Sequence, residues 1–298
     1  IVNCKLPMYV LKKENQIYLQ TWHGTPLKKL AFDIEVPEGT TFYRSGMNEE
    51  MMHETYAQDV KKYNYMISPS AFTTEVFQSA FRINRERLIE TGYPRNDFLT
   101  NYTKEDVLKI KNKYHIPLDK KVLLYAPTWR DDEYYGKGKY KFKLKLDLEM
   151  MKKELGDDYV ILLRTHHYIA DSLDVTGVED FAINLSKYDD ITEIYLISDI
   201  CITDYSSVFF DFANLKRPML FYTYDIDKYR DVLRGFYIDM EKELPGPLVY
   251  STNEVIEQIK NIDEMTQKYA QRYEEFYQRF CSIDDGQASK RACEAVFK

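Results

Sequence analysis

The chain has 298 residues, and its 48 acidic and 41 basic side chains give a net charge of −7. That length can bury the core of one large or two medium domains, whereas the acidic balance argues against a protein that coats a nucleic-acid backbone. The four cysteines lack CxxC or zinc-type spacing and no apolar run approaches the roughly 18 residues of a membrane-spanning helix, a pattern that predicts a reduced, cytosolic protein without disulfides, structural zinc or a transmembrane segment.

The first part of the chain alternates between strand and helix patterns. The predicted strands cover residues 17–22, 64–68 and 88–91, and the predicted helices cover residues 48–60 and begin again at Ala71. Strands that alternate with helices form parallel sheets. Because the chain opens at Ile1, close to its richest motif, we expect that the first strand and helix of this domain are missing.

A domain boundary is predicted near residue 116. A charged helix over residues 104–114 leads into a strand over residues 121–126, whose continuous apolar run suits a sheet covered on both faces. We therefore expect an N-terminal domain over residues 1–116 and a C-terminal domain over residues 117–298.

The second domain repeats the alternation. Its predicted strands cover residues 159–163, 200–203 and 218–221, and its predicted helices cover residues 146–155, 191–197 and 208–215. The tail over residues 253–297 has the pattern of an amphipathic helical region that packs back on a domain. Two such α/β halves would face each other across a cleft.

The first segment with candidate chemistry is QTWHGTP at residues 20–26. His23 follows a predicted strand, and ligands of open parallel sheets bind at the carboxyl ends of the strands. Gly24 and Pro26 predict a tight turn, which favours a catalytic histidine over a buried structural one. Gly24 and Thr25 are candidates to line the same cleft.

The second segment is LLRTHH at residues 162–167, again at the end of an apolar strand. The planar guanidinium of Arg164 suits phosphate, and the imidazole of His166 or His167 could donate to a phosphate oxygen or a leaving group. Adjacent strand residues point to opposite faces, so one of the two histidines is expected to face the site. The pair could also bind a metal, but no carboxylate cluster predicts a metal centre, and metal dependence is left open.

The third segment is TDYSSVFFD at residues 203–211. Thr203 and Asp204 end a strand, and Ser206 and Ser207 open an apolar helix whose start is either a simple N-cap or an anion site made by free N–H groups and the helix dipole. We favour a phosphate site. Asp211 could accept hydrogen bonds from sugar or polyol hydroxyls, or could be solvated.

No glycine-rich loop is available to bind phosphate. The sequence has no GxGxxG, no GxxxxGK[ST] and no GxSxG, so the site must be assembled from loops of both domains. Two further loops follow strands and are either part of a cleft or plain turns. Their candidate side chains are Arg95, Asn96, Thr128 and Arg130.

Residues 137–145 read KGKYKFKLK and place five lysines on one side of an extended segment. The segment is either a solvated edge or a patch for a polyanion or an anionic lipid surface.

Together these motifs resemble the CDP-glycerol glycerophosphotransferases, the teichoic-acid primases and polymerases of Gram-positive bacteria. The segments that carry the resemblance are QTWHGTPLKKL at residues 20–30, GYPRND at 92–97, YAPTWRD at 125–131, RTHH at 164–167, TDYSSVFFDFA at 203–213, RGFY at 234–237 and PGPL at 245–248. Seven motifs in order span nearly the whole chain, which makes the resemblance specific.

The resemblance implies a GT-B-like α/β fold in which two Rossmann-like domains with parallel sheets face each other across a cleft. The first would receive the acceptor and the second would bind the nucleotide. The implied reaction transfers glycerol phosphate from CDP-glycerol to a hydroxyl of a lipid-linked or growing teichoic acid chain, releases CMP and has no certain cofactor. His23 and His166 would be catalytic, His23 as the general base. Arg234 would join the cleft through RGFY.

Further expectations concern where the enzyme works and what else it could be. The family's acceptor is lipid-linked, so we expect peripheral attachment to an anionic membrane surface on the cytoplasmic face, through residues 137–145 or through sequence outside this chain, and no nucleic-acid partner. The alternatives are a CDP-ribitol phosphotransferase, a nucleotide-sugar glycosyltransferase of the same fold, and a non-catalytic polymer- or lipid-binding module.

Overall fold

The computed structural model describes residues 1–7, 9–35, 46–128, 134–136, 139–140, 144–165, 173–226 and 235–297. The chain divides into two compact units. Unit 1 consists of Ile1–Thr100, Asp227–Asp239 and Phe276–Lys298, and unit 2 consists of Asn101–Ile226 and Met240–Glu275.

The strands of the described residues are β1 (Leu19–Gln20), β2 (Tyr65–Ser68), β3 (Leu88–Glu90), β4 (Lys121–Ala126), β5 (Tyr134–Gly136), β6 (Lys139–Tyr140), β7 (Tyr159–Leu163), β8 (Ala182–Asn184), β9 (Ile200–Thr203), β10 (Met219–Tyr222) and β11 (Leu248–Val249). The α-helices are α1 (Glu49–Val60), α2 (Ala71–Ala80), α3 (Asp97–Asn101), α4 (Lys104–Lys113), α5 (Leu148–Leu155), α6 (Ile191–Ile197), α7 (Val208–Phe212), α8 (Met240–Glu243), α9 (Thr252–Lys260), α10 (Ile262–Phe280) and α11 (Ala288–Val296).

Unit 1 is built on a parallel sheet in the order β1–β2–β3. Val2 extends this sheet beside β1 through a parallel bridge to Gln20. The strands are covered by apolar side chains of the helices, and Met66, Phe77 and Phe81 are buried in one cluster. Because the three strands are parallel, their carboxyl ends lie at one edge of the sheet, and β1 leads into His23 at that edge.

Unit 2 is built on a parallel sheet in the order β8–β7–β4–β9–β10–β11. The strands β4 and β7 are apolar along nearly their whole length and are buried on both faces, as expected for a sheet covered by helices. After β4 the chain adds β7 and β8 on one side of that strand, and it then adds β9, β10 and β11 on the other side. The order of strands therefore reverses between the neighbours β4 and β9. In open parallel sheets such a switch point leaves a crevice at the carboxyl ends, and ligands bind there.

The compact units differ from the two continuous segments, residues 1–116 and 117–298, that the sequence predicts. The chain returns to unit 1 because Phe236 pairs with Lys28, and the backbone N–H groups of Lys29 and Tyr237 donate to the carbonyls of Gly235 and Leu27. It returns a second time in its last helix, which buries Ala292 and Val296 in the same cluster as Leu19 and Ile67.

Most of the predicted elements are confirmed, and their ends follow from local chemistry. Asn48 caps α1 by accepting from the N–H of Met51, and Thr103 and Asp106 form a capping box at α4. The first strand is shorter than predicted because Trp22 takes a left-handed backbone conformation with φ of 54°, which ends the extended pairing. The tail is three helices rather than one continuous region.

Four short strands were not predicted. The strands β8 and β11 pair at the two edges of the sheet in unit 2, and β5 and β6 pair only with each other. Each has only two or three residues, so none carries a periodic pattern that could reveal it. Within the described parts of the chain, no helix combines the length and the apolar character that crossing a membrane requires.

Candidate active site

His23 lies three residues after the end of β1 in unit 1, in the turn where the sequence predicts it. Its Nδ1–H donates to the backbone carbonyl of Asn3 at 2.8 Å, and its ring stacks on the ring of Trp22 with centroids 4.3 Å apart. In a neutral imidazole the other nitrogen, Nε2, then carries the lone pair. The geometry presents a histidine that is oriented by one nitrogen and basic at the other.

The surroundings of His23 favour its neutral form. Although part of the imidazole is exposed, loss of hydration against the surrounding atoms is the largest influence and lowers the pKa of His23 below its ordinary value of 6.5. The carbonyl of Asn3 opposes this shift, and the positive charge of Arg95 lowers the pKa further. His23 is therefore available as a proton acceptor at neutral pH.

The turn that follows His23 is buried. Gly24 is buried, and the side chain of Thr25 is only 3% exposed. Thr25 therefore lies inside the turn, and the solvent-accessible group of this motif is the imidazole of His23.

The loop at residues 92–97 contains two predicted site residues, Arg95 and Asn96, and the structure gives them different surroundings. Arg95 lies over the ring of Tyr93, 3.8 Å from the centroid, and its charge acts on His23. Asn96 is buried, and its Nδ2 donates to Oδ2 of Asp284 at 2.8 Å. Arg95 thus belongs to the surroundings of His23, whereas the amide of Asn96 anchors the loop.

Asp284 is the carboxylate that holds this loop in place. Its Oδ1 accepts from the backbone N–H of Tyr93 at 2.8 Å, in addition to the bond with Asn96. Gly92 has a φ of 80°, and a Cβ at this position would lie 2.2 Å from Oδ1 of Asp284, so only glycine fits. This contact joins residues nearly 200 positions apart and could not be found from local sequence patterns.

The RGFY motif forms hydrogen bonds with the segment that follows His23. Its tyrosine, Tyr237, donates through Oη to Oδ2 of Asp33 at 2.7 Å and accepts from the N–H of Leu30 at 3.1 Å. Burial is the main cause that raises the pKa of this hydroxyl above its ordinary value. Two motifs that are separated by about 200 residues in sequence therefore adjoin in unit 1.

In unit 2 the predicted residues gather at the switch point between β4 and β9. Oδ1 of Asp204 accepts from the backbone N–H of Thr128 at 2.7 Å and from that of Tyr205 at 2.6 Å. Oγ1 of Thr203 donates to the carbonyl of Ala126 at 2.7 Å. Thr203 and Asp204 are buried, and they fix the two loops at this edge of the sheet.

Ser206, Ser207 and Asp211 follow the same edge. Oγ of Ser206 accepts from the N–H of Val208 at 3.4 Å, whereas Ser207 stands at the N-cap position without a capping bond from its side chain. Asp211 is 7% exposed, so its carboxylate is buried and the interpretation as a solvated residue is wrong. Both serines are partly exposed beside the switch point.

Arg164 lies at the end of β7, next to β4. Its Nη1 donates to the carbonyls of Leu185, at 3.2 Å, and Ser186. Loss of hydration lowers the pKa of the guanidinium below its usual range, and Tyr195 and Asp189 oppose that shift. In this structure one arm of the guanidinium therefore orients the turn after β8.

Three of the predicted site residues, His166, Arg130 and Arg234, lie outside the described residues, as does His167. Among the residues that are described, no three or more His, Cys, Asp or Glu side chains are grouped so that they could hold a metal ion. The residues that sequence reasoning missed are Asn3, Gln20 and Asp284. Only Gln20 had a local signal, because it begins the QTWHGTP motif.

Comparisons with known proteins follow the same motifs. A family model described as CDP-Glycerol:Poly(glycerophosphate) glycerophosphotransferase matches residues 1–298. A teichoic acid poly(glycerol phosphate) polymerase of Bacillus subtilis is 49% identical over 299 residues, which cover 100% of this chain and 39% of that protein. A teichoic acid poly(ribitol-phosphate) polymerase of Bacillus spizizenii is 30% identical over 294 residues, covering 97% of this chain and 44% of that protein. The chain thus spans less than half of either relative.

A solved structure agrees with this assignment. It is the wall teichoic acid polymerase TagF, as a histidine-to-asparagine variant soaked with CDPG, and it matches with a TM-score of 0.91 and 47% identity over 99% of this chain and 71% of that chain. This likeness and the two parallel sheets confirm the predicted α/β, GT-B-like fold class. The chain belongs to the CDP-glycerol:poly(glycerophosphate) glycerophosphotransferase family.

Proposed function

We propose that this chain transfers glycerol phosphate from CDP-glycerol to a hydroxyl of a lipid-linked or growing teichoic acid chain and releases CMP. The observation that carries the proposal is His23, exposed and held through Nδ1 by the carbonyl of Asn3 after β1, in a chain that the family model matches throughout. The names of the relatives and the CDPG soak of TagF support the choice of donor and acceptor.

In this mechanism His23 acts on the acceptor. Its Nε2 takes the proton of the acceptor hydroxyl while the oxygen attacks the phosphorus that bears the glycerol. A bond forms between that oxygen and the phosphorus, the bond from the phosphorus to the bridging pyrophosphate oxygen breaks, and CMP leaves with the electron pair. We assign this acceptor side to unit 1.

We assign the donor side to unit 2. Ser206, Ser207 and the loops fixed by Asp204 lie at the switch point of its sheet, where nucleotides bind in folds of this kind. The proposed partners of the pyrophosphate are the two serine hydroxyls and the guanidinium of Arg164, which would stabilise the charge that builds up on CMP. His166 is proposed to act beside them on the phosphates, and Asp211 is proposed for the polyol. Arg130 and Arg234 are proposed only as cleft residues.

The donor is proposed to be CDP-glycerol because the relative named for glycerol phosphate is 49% identical and the one named for ribitol phosphate is 30% identical. Product masses from CDP-glycerol, CDP-ribitol and nucleotide sugars distinguish these donors. Binding of polymer without any CMP release would instead identify a non-catalytic module.

Exchange of His23 for asparagine tests the proposed base. His23→Asn removes the proton acceptor but keeps a polar side chain, so transfer from CDP-glycerol is expected to fall by roughly 10²- to 10⁴-fold. Binding of CDP-glycerol, measured by calorimetry, is expected to be unchanged. His115→Asn is the matched control, because His115 is exposed in the turn before β4. Near wild-type transfer by His23→Asn would refute the base.

The hydroxyls at the start of α7 test the donor site. The double variant Ser206→Ala with Ser207→Ala is expected to bind CDP at least tenfold more weakly, since each hydrogen bond to a charged group contributes about 1.5–3 kcal/mol and tenfold equals about 1.4 kcal/mol. Ser282→Ala, which removes an exposed hydroxyl, serves as the control. Unchanged affinity in calorimetry would remove the two serines from the donor site.

The charge of Arg95 gives a pH prediction. A positive charge beside an imidazole disfavours the imidazolium, so Arg95→Gln is expected to raise the pKa of His23 and to move the acidic limb of kcat/KM to higher pH. An NMR titration of the His23 ring measures the shift without substrate. Arg85→Gln, which removes an exposed guanidinium paired with Glu90, should leave it unchanged. A pKa that stays the same or falls would contradict the prediction.

We also propose that the chain works peripherally on the cytoplasmic face of the membrane, with the lysines of residues 137–145 as an anionic-lipid contact. These side chains lie outside the described residues except Lys145. Replacing all five lysines by glutamine is expected to lower co-sedimentation with vesicles that contain anionic lipid. The control replaces the five lysines of residues 104–120. Equal sedimentation of the two variants would exclude the patch.

A further inference from the structure

Gln20 is buried beneath the candidate base, and both ends of its amide are engaged. The side chain is 0% exposed. Its Oε1 accepts from the backbone N–H of Trp22 at 2.9 Å, and its Nε2 donates to the carbonyl of Cys4 at 3.1 Å. An amide can accept and donate at once, whereas a carboxylate can only accept and an apolar side chain can do neither.

The amide also contacts the hydroxyl of Tyr63, and its two backbone partners lie on either side of the hydrogen bond that orients His23. Trp22 precedes His23 in the chain, and Cys4 follows Asn3, whose carbonyl accepts from Nδ1 of His23. The start of this segment is already tied to β1, because Val2 donates its N–H to Leu19 and accepts from the N–H of Thr21. Gln20 ties the other end, so that the Asn3 carbonyl is held between two fixed points.

Trp22 explains why such a tie is needed. Its φ of 54° lies in the left-handed region, which a bulky aromatic residue rarely adopts and which persists only where the surroundings enforce it. The indole contacts Phe81 edge-on, with centroids 4.9 Å apart, and stacks on His23. Gln20 supplies the hydrogen bond to the backbone of this strained residue.

We propose that Gln20 is a positioning residue for His23, whose amide holds Trp22 and the Asn3–Cys4 backbone so that the imidazole keeps its proton on Nδ1 and its lone pair on Nε2. Gln20 acts through the backbone of its partners and not through contact with the reacting atoms. The inference rests on the proposed role of His23 as the general base, but the tautomer of His23 can be measured independently of any activity.

The experiment compares Gln20→Met with wild type and with Gln16→Met, which changes an exposed glutamine. In protein labelled with ¹⁵N-histidine, the neutral ring of His23 is expected to be the Nδ1–H tautomer in wild type and in Gln16→Met. It is expected to lose that preference in Gln20→Met. For transfer from CDP-glycerol, we expect kcat to fall roughly 10- to 100-fold in Gln20→Met with an unchanged KM, because the donor contacts are on unit 2.

A second variant covers the case in which Gln20→Met does not fold. Gln20→Leu has a similar volume and can neither accept from Trp22 nor donate to Cys4, so it is expected to show the same loss of tautomer preference. If the variants that fold keep the Nδ1–H tautomer of His23, the inference is overturned. It is also overturned if the tautomer changes while kcat stays at the wild-type value. If wild type transfers no glycerol phosphate, the proposed function fails, and the tautomer measurement still decides the role of Gln20.

Discussion

Parallel strand pairing is the constraint on which the placement of the candidate residues that follow the described strands depends. Because all paired strands in the two main sheets run in the same direction, each strand delivers the residue after its last hydrogen bond to the same edge of its sheet. His23 follows β1, Arg164 follows β7 and Asp204 follows β9 in this way. Chemistry that is scattered along the chain is thereby collected at one edge in each unit.

The two edges are built differently. The edge of unit 1 presents the imidazole of His23, and the position of this ring depends on a backbone carbonyl, a buried amide and a strained tryptophan. The edge of unit 2 has loops fixed by a buried aspartate and a threonine, with serines on the exposed side. A proton acceptor needs one exact direction, whereas a charged diphosphate can be held by several donors at once. The division of labour proposed for the units follows from this difference.

Sequence patterns were sufficient for the class of fold and for most of the elements. The apolar runs of β4 and β7 are local signals, and the structure confirms the strands that they predict. The motifs after strands also pointed to His23 and to the loop at Asp204. What could not be predicted depends on distant contacts. The residues around Asn96 in the sequence give no sign that its amide binds Asp284. Those around Asn3 give no sign that its carbonyl orients a histidine 20 positions later.

The buried contact between Gly92 and Asp284 limits how the protein can be dissected. A polypeptide ended at residue 116 would contain the whole GYPRND loop but neither the carboxylate that binds it nor the helix α11, whose Ala288 and Ser289 donate their N–H groups to Asp97. The N–H of Tyr93 and the amide of Asn96 would then be left without that acceptor in a formerly buried position. Unit 1 is therefore not separable from the rest of the chain by a cut at residue 116, and any fragment that keeps the loop at residues 92–97 buried must also contain Asp284 and α11.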